Sequence, residues 1–150
     1  MRTTLNTGVL EPLSATNLAL ADATEDIRGV KVYDRDGQEF GKVDDVFIDT
    51  ADRRARFVSV KSGDILGLGG QTHLLPIEAI AFDGERIMVN ETVDRIMQGP
   101  QWDGRDLTPT DVGDATTTSG GVPVLEEVYR HYNVQEPFWS TNYRQPVWNR

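Results

Sequence analysis

Residues 27–49 read IRGVKVYDRDGQEFGKVDDVFID, and this stretch decides the fold. Val30 and Val32 alternate with Lys31 and Tyr33, the period-two pattern of a half-buried strand. Asp34-Arg35-Asp36-Gly37 then supplies turn chemistry, with Gly37 free to take positive φ. A second strand opens at Phe40-Gly41 and runs from Lys42 to Asp49. Val43, Val46 and Ile48 cannot share one face of a flat strand, because 43 to 46 is an odd step. One extra residue at Asp44-Asp45, a β-bulge, brings all three onto the same face. Bulges of this kind let strands curl, so the irregularity predicts a closed or partly open antiparallel β-barrel.

Downstream, Thr50 to Arg54 reads as a turn and Ala55 to Lys61 as the third strand. A turn centred near Asp52 sets Val46 opposite Val58 and Phe47 opposite Phe57. Val46, Ile48, Val58 and Val60 then face the core, while Phe47 and Phe57 form an aromatic pair on the other side. Two adjacent rings there need a cover, from the chain itself or from a partner. Residues 62–70 (SGDILGLGG) form a glycine-rich connection, and Thr72 to Ile77 is a fourth strand with Pro76 near its end. Asp83-Gly84 closes another hairpin, Arg86 to Asn90 is the last strand, and Thr92 to Met97 is a helical turn.

The flanks read differently. Residues 1–25 form an arm in which Pro12 and Ser14 interrupt any early element. Residues 26–97 are the barrel, 98–121 a linker rich in Gly, Pro and Thr, and 122–150 an aromatic extension with a short helix. Within that extension Leu125, Val128, Tyr129 and Tyr132 recur at helical spacing. All three tryptophans, Trp102, Trp139 and Trp148, lie beyond Met97. A segment this aromatic is expected to dock, on its own barrel, on a second copy or on another protein. Tyr129, Phe138, Trp139, Trp148 and Trp102 therefore join Phe47 and Phe57 as candidate partner-binding residues.

The 150-residue chain carries 15 basic and 24 acidic residues, a net charge of −9. That balance disfavours nucleic acid as a main partner, since phosphate contacts need a concentrated basic surface. Arg53, Arg54 and Arg56 are the one tight basic cluster, and they are candidate contacts for an anion or an acidic partner. There is no cysteine and no long apolar run, which leads to the expectation of a cytoplasmic protein without disulfides or an integral membrane segment.

Catalytic and cofactor signatures are weak. The Asp34–Glu39 run lacks the ligand spacing of an EF-hand loop. Asp44, Asp45 and Asp49 are better explained as surface charge or turn capping than as a carboxylate cluster for metal or acid–base work. The 62–70 loop lacks the Lys-Ser/Thr of a phosphate-binding loop. His73 and His131 have no second histidine at ligand spacing. The expectation is a non-enzymatic protein with no cofactor and no metal.

Residues 27 to about 90 resemble the PRC-barrel domain family. The resemblance is carried by Arg28-Gly29, by the run from Val32 to Gly37, by Gly41-Lys-Val-Asp-Asp-Val46, by Ile48-Asp49 and by Phe57-Val-Ser-Val60. The later ILGLGG and HLLPIEAI segments are similar to that family's glycine loop and succeeding strand. The family includes the cytoplasmic domain of the photosynthetic reaction-centre H subunit and the C-terminal domain of a ribosome-maturation factor. The resemblance implies a small barrel that binds protein or RNA–protein partners, with no active site to carry over. The leading expectation is an interaction module that forms a homodimer and binds a further protein. A ribosome- or RNA-protein-associated factor and a small-ligand or metal-binding protein are the alternatives.

Overall fold

The computed structural model describes residues 10–16, 19–20, 25–49, 53–62, 71–101 and 124–135. Seven strands form one sheet: β1 (Leu10–Pro12), β2 (Lys31–Tyr33), β3 (Glu39–Asp49), β4 (Ala55–Ser62), β5 (Thr72–Pro76), β6 (Ile80–Phe82) and β7 (Ile87–Val89). The order is β5-β4-β3-β2-β7-β6, with β1 added to the far half of β3. Every ladder is antiparallel except β2 with β7. The sheet curls into a half-barrel, and two short helices complete it: α1 (Val93–Met97) and α2 (Val124–His131). No helix among the described residues is long and apolar enough to cross a membrane.

The deciding stretch folds as its pattern predicts. Gly37 takes φ 85°, and Asp34 N–H donates to Gln38 O to close the β2–β3 turn. The β3–β4 register slips by one residue between Val43 and Asp45, the expected bulge, and Val46 faces Val58 while Phe47 faces Phe57. Val32, Val43, Val46, Val58, Val60, Leu75 and Ile87 line the inner face and are all buried.

Of the two sources of cover expected for the outer face, the chain itself supplies it, and the reading of the N-terminal arm is corrected. Phe47 and Phe57 share the outer face, but each is 0% exposed. The rings are covered from within the chain, with Tyr129 of α2 lying 5.1 Å from the Phe57 ring. Period-two alternation identifies which residues share a face, and it cannot say what lies over that face. Pro12 and Ser14 also do not prevent an early element. Pro12 ends β1, where its missing N–H is harmless, and Ser14 sits in a 3-10 turn, Leu13–Ala15, packed against β3.

Candidate functional site

The polar side chains that hold this fold together sit at the seams of the barrel. Asp34, 3% exposed, uses one carboxylate to serve two elements. Oδ1 accepts from Asp36 N–H (2.9 Å) and Gln38 N–H (2.8 Å), which fixes the hairpin turn. Oδ2 accepts from Val93 N–H (3.0 Å), the first amide of α1. Thr92 caps the same helix by accepting from Arg95 N–H (3.3 Å).

Asp44, Asp45 and Asp49 do not converge. Asp44 is exposed, whereas Asp45 is buried at the bulge and accepts from the Ser14 hydroxyl. Asp49 lies 3.5 Å from Arg56 Nε. Among the described residues, no group of three or more His, Asp or Glu side chains is placed to hold a metal ion.

The arginine cluster is likewise dispersed, and its three members do not form one exposed basic patch. Arg53 is exposed, with φ 62°. Arg54 is held by buried Glu25 through Nη2–Oε2 (2.6 Å) and Nε–Oε2 (3.1 Å), and the other Glu25 oxygen accepts from Ala55 N–H (2.9 Å). Arg56 is only 5% exposed, against Asp49. Burial of an arginine calls for a carboxylate partner, and the seams supply one to each. Glu25 had no sequence signal, because its partners lie 29 and 30 residues away.

The cover of the outer face is the arrangement most relevant to function. Val128, Tyr129 and Tyr132 of α2 are buried. The C-terminal end of α2 is clasped to α1 by two reciprocal bonds. Arg95 Nη2 donates to His131 O (2.7 Å), and His131 Nε2 donates to Arg95 O (2.7 Å). Gly99 permits the approach, since a Cβ there would lie 2.9 Å from His131 Cδ2. Pro100 and Gln101, expected to belong to a linker, are instead held against β5: Leu74 N–H donates to Pro100 O, and Gln101 bridges His73. Burial pushes the Tyr132 phenol above its ordinary range, with Glu91 adding to the shift and Arg95 opposing it. Trp102, Phe138, Trp139 and Trp148 lie outside the described residues.

His73 of β5, the partner of Val60, is fully buried, with the Phe40 ring 6.0 Å away edge-on. Burial holds its imidazole below the ordinary 6.5; nearby His131 lowers it further, and the Met97 backbone opposes the shift. Below about pH 6.5 the unfolded chain takes up a proton that the native state refuses, so native stability declines as pH falls through that value. Above it the group contributes no slope. Urea titrations at about pH 7.5 and about pH 5.5 are expected to show this loss, bounded by about 1.4 kcal/mol per pH unit. His73→Leu should flatten the difference; an unchanged slope in that variant would locate the proton elsewhere.

The family model described as PRC-barrel domain matches residues 22–96, half of the chain. No curated protein matches. The match begins just before Glu25 and ends at α1, so it contains the curled sheet, the Asp34 seam and the Glu25–Arg54 pair. The chain belongs to the PRC-barrel domain family.

Proposed function

We propose that this protein is a non-enzymatic protein-interaction module, a PRC barrel that self-associates as a dimer through its outer face and its aromatic C-terminal element. The observation that carries the reading is the cover itself. Phe57 is sealed by Tyr129, a residue of a helix remote in sequence. An apolar face closed by a remote helix of the same chain can be closed equally by that helix from a second copy, the usual route to domain exchange. Residues 98–123 separate the barrel from α2, a length that suits either connection.

Light scattering of full-length protein over a concentration series is expected to give a dimer mass that depends on concentration. Tyr129→Asp and a chain ending at Met97 should each lose the dimer. A monomer mass at every concentration in the full-length protein overturns self-association. A ribonucleoprotein role through Arg53, Arg54 and Arg56 has less support, because two of the three are engaged by buried carboxylates.

A further inference from the structure

The chain contains only three lysines, and the fold lines them up. Lys31 of β2 stands directly opposite Lys42 of β3, and Lys42 stands directly opposite Lys61 of β4. All three are exposed. Arg86 extends the row. It precedes Ile87, the parallel partner of Val32, and its guanidinium lies 5.4 Å from the Tyr33 ring on the Lys31 face. At roughly 4.8 Å between strands, four cations thus span roughly 14 Å across the sheet.

This face is the one that α2 covers at its other end, since Lys61 and Phe57 alternate with inward Val58 and Val60 along β4. Of the four, only Arg86 has a carboxylate at ion-pair distance, Asp83 at 3.8 Å on its own hairpin. Among the described residues no carboxylate lies within ion-pair distance of the lysines. Like charges placed directly opposite one another destabilise a sheet. In a chain with net charge −9, concentrating every lysine into one such row is a local cost that packing does not explain.

We propose that this stripe docks an acidic polypeptide segment of a partner protein, lying across the strands with its carboxylates among Lys31, Lys42 and Lys61. The assignment rests on the interaction-module reading and adds a second surface to it. A groove of about 330 Å³ beside Lys42 and Lys61 gives such a segment a seat, and Glu39, Asp44 and Ser62 also line it. Those two acids favour a peptide over a nucleic acid. A phosphate chain needs an unbroken basic track, whereas a polypeptide can place carboxylates on the lysines and amide groups beside Glu39 and Asp44. Lysines act as flexible point charges, which suits carboxylates of irregular spacing.

Anisotropy with full-length protein and a fluorescein-labelled octaglutamate peptide tests the stripe, with a labelled oligothymidylate of equal length beside it. Saturable peptide binding at low salt is expected, weakening as NaCl rises from about 25 to about 300 mM. Replacing Lys31, Lys42 and Lys61 together by Gln should reduce affinity about tenfold or more. Because the three side chains are exposed and mutually repulsive, the same variant should melt above wild type at low salt and level with it at high salt. Absent peptide binding, binding unchanged in the variant, or tighter binding of the oligothymidylate overturns the assignment. So does a variant that melts at or below wild type at low salt. Light scattering separates this reading from self-association: peptide binding by a strictly monomeric protein leaves the stripe standing and removes only the dimer.

Discussion

Gly41→Ala is expected to destabilise the protein by about 3 kcal/mol or more, enough to leave much of it unfolded at ambient temperature. Gly41 lies in β3 with a neighbour on each side, Val32 of β2 and Ser62 of β4. A Cβ there would sit 2.0 Å from the Lys61 carbonyl oxygen and 2.9 Å from the Ser62 Cα. Both obstacles are backbone, so no side-chain rotation relieves the overlap. Relief requires β3 and β4 to part at the Gly41–Ser62 pair. Gly37 provides the contrast. Its φ of 85° strains any other residue, yet a Cβ there meets nothing within 4 Å. Gly37→Ala should therefore cost only about 1 kcal/mol. Urea unfolding followed by far-ultraviolet circular dichroism orders the two, and equal losses would remove close approach as the reason for glycine at 41.

Asp34→Ala should cost about 3 kcal/mol, because three amides lose a charged acceptor in a site that water barely reaches. The loss has two separable parts. Oδ1 holds the hairpin turn through Asp36 and Gln38, while Oδ2 holds α1 through Val93. Asp34→Asn keeps one oxygen for the turn but points an NH2 group at the Val93 N–H, two donors face to face. It is expected to fall between wild type and Asp34→Ala, at about 1–2 kcal/mol. Hydrogen exchange should then show faster exchange in α1 than in the hairpin. Uniform acceleration of both elements would mean that the carboxylate does not serve them separately.

The parts of the fold that were legible in sequence are those whose partners lie close along the chain. The β2–β3 turn follows from Asp36-Gly37, the bulge from the odd step between Val43 and Val46, and the Phe47–Phe57 pairing from a short turn. The seams were not legible. Nothing local to Glu25 announces Arg54, and nothing local to Asp34 announces Val93. The outer face is intermediate: alternation places Phe47 and Phe57 side by side, but only tertiary packing reveals Tyr129 over Phe57. The lysine row was within reach. Once Val46 is set opposite Val58 and one residue is inserted at the bulge, counting back brings Lys42 to Lys61. Two lysines at those positions look unrelated until the register is carried through.

The parallel pairing of β2 with β7 has a kinetic meaning. The ladders from β2 to β5 join strands that follow one another, so each hairpin can assemble soon after its second strand exists. β2 finds its other neighbour only when residue 87 arrives, and the Asp34–Val93 bond spans 59 positions. Chain entropy opposes that long closure more than any of the local ones, though it rises only logarithmically with length. Within the barrel, the contacts that complete it are therefore those of highest sequence separation, and they set the pace at which the barrel closes. A nascent chain released before β7 would carry a finished meander with one side of β2 still open, a template for joining the wrong molecule.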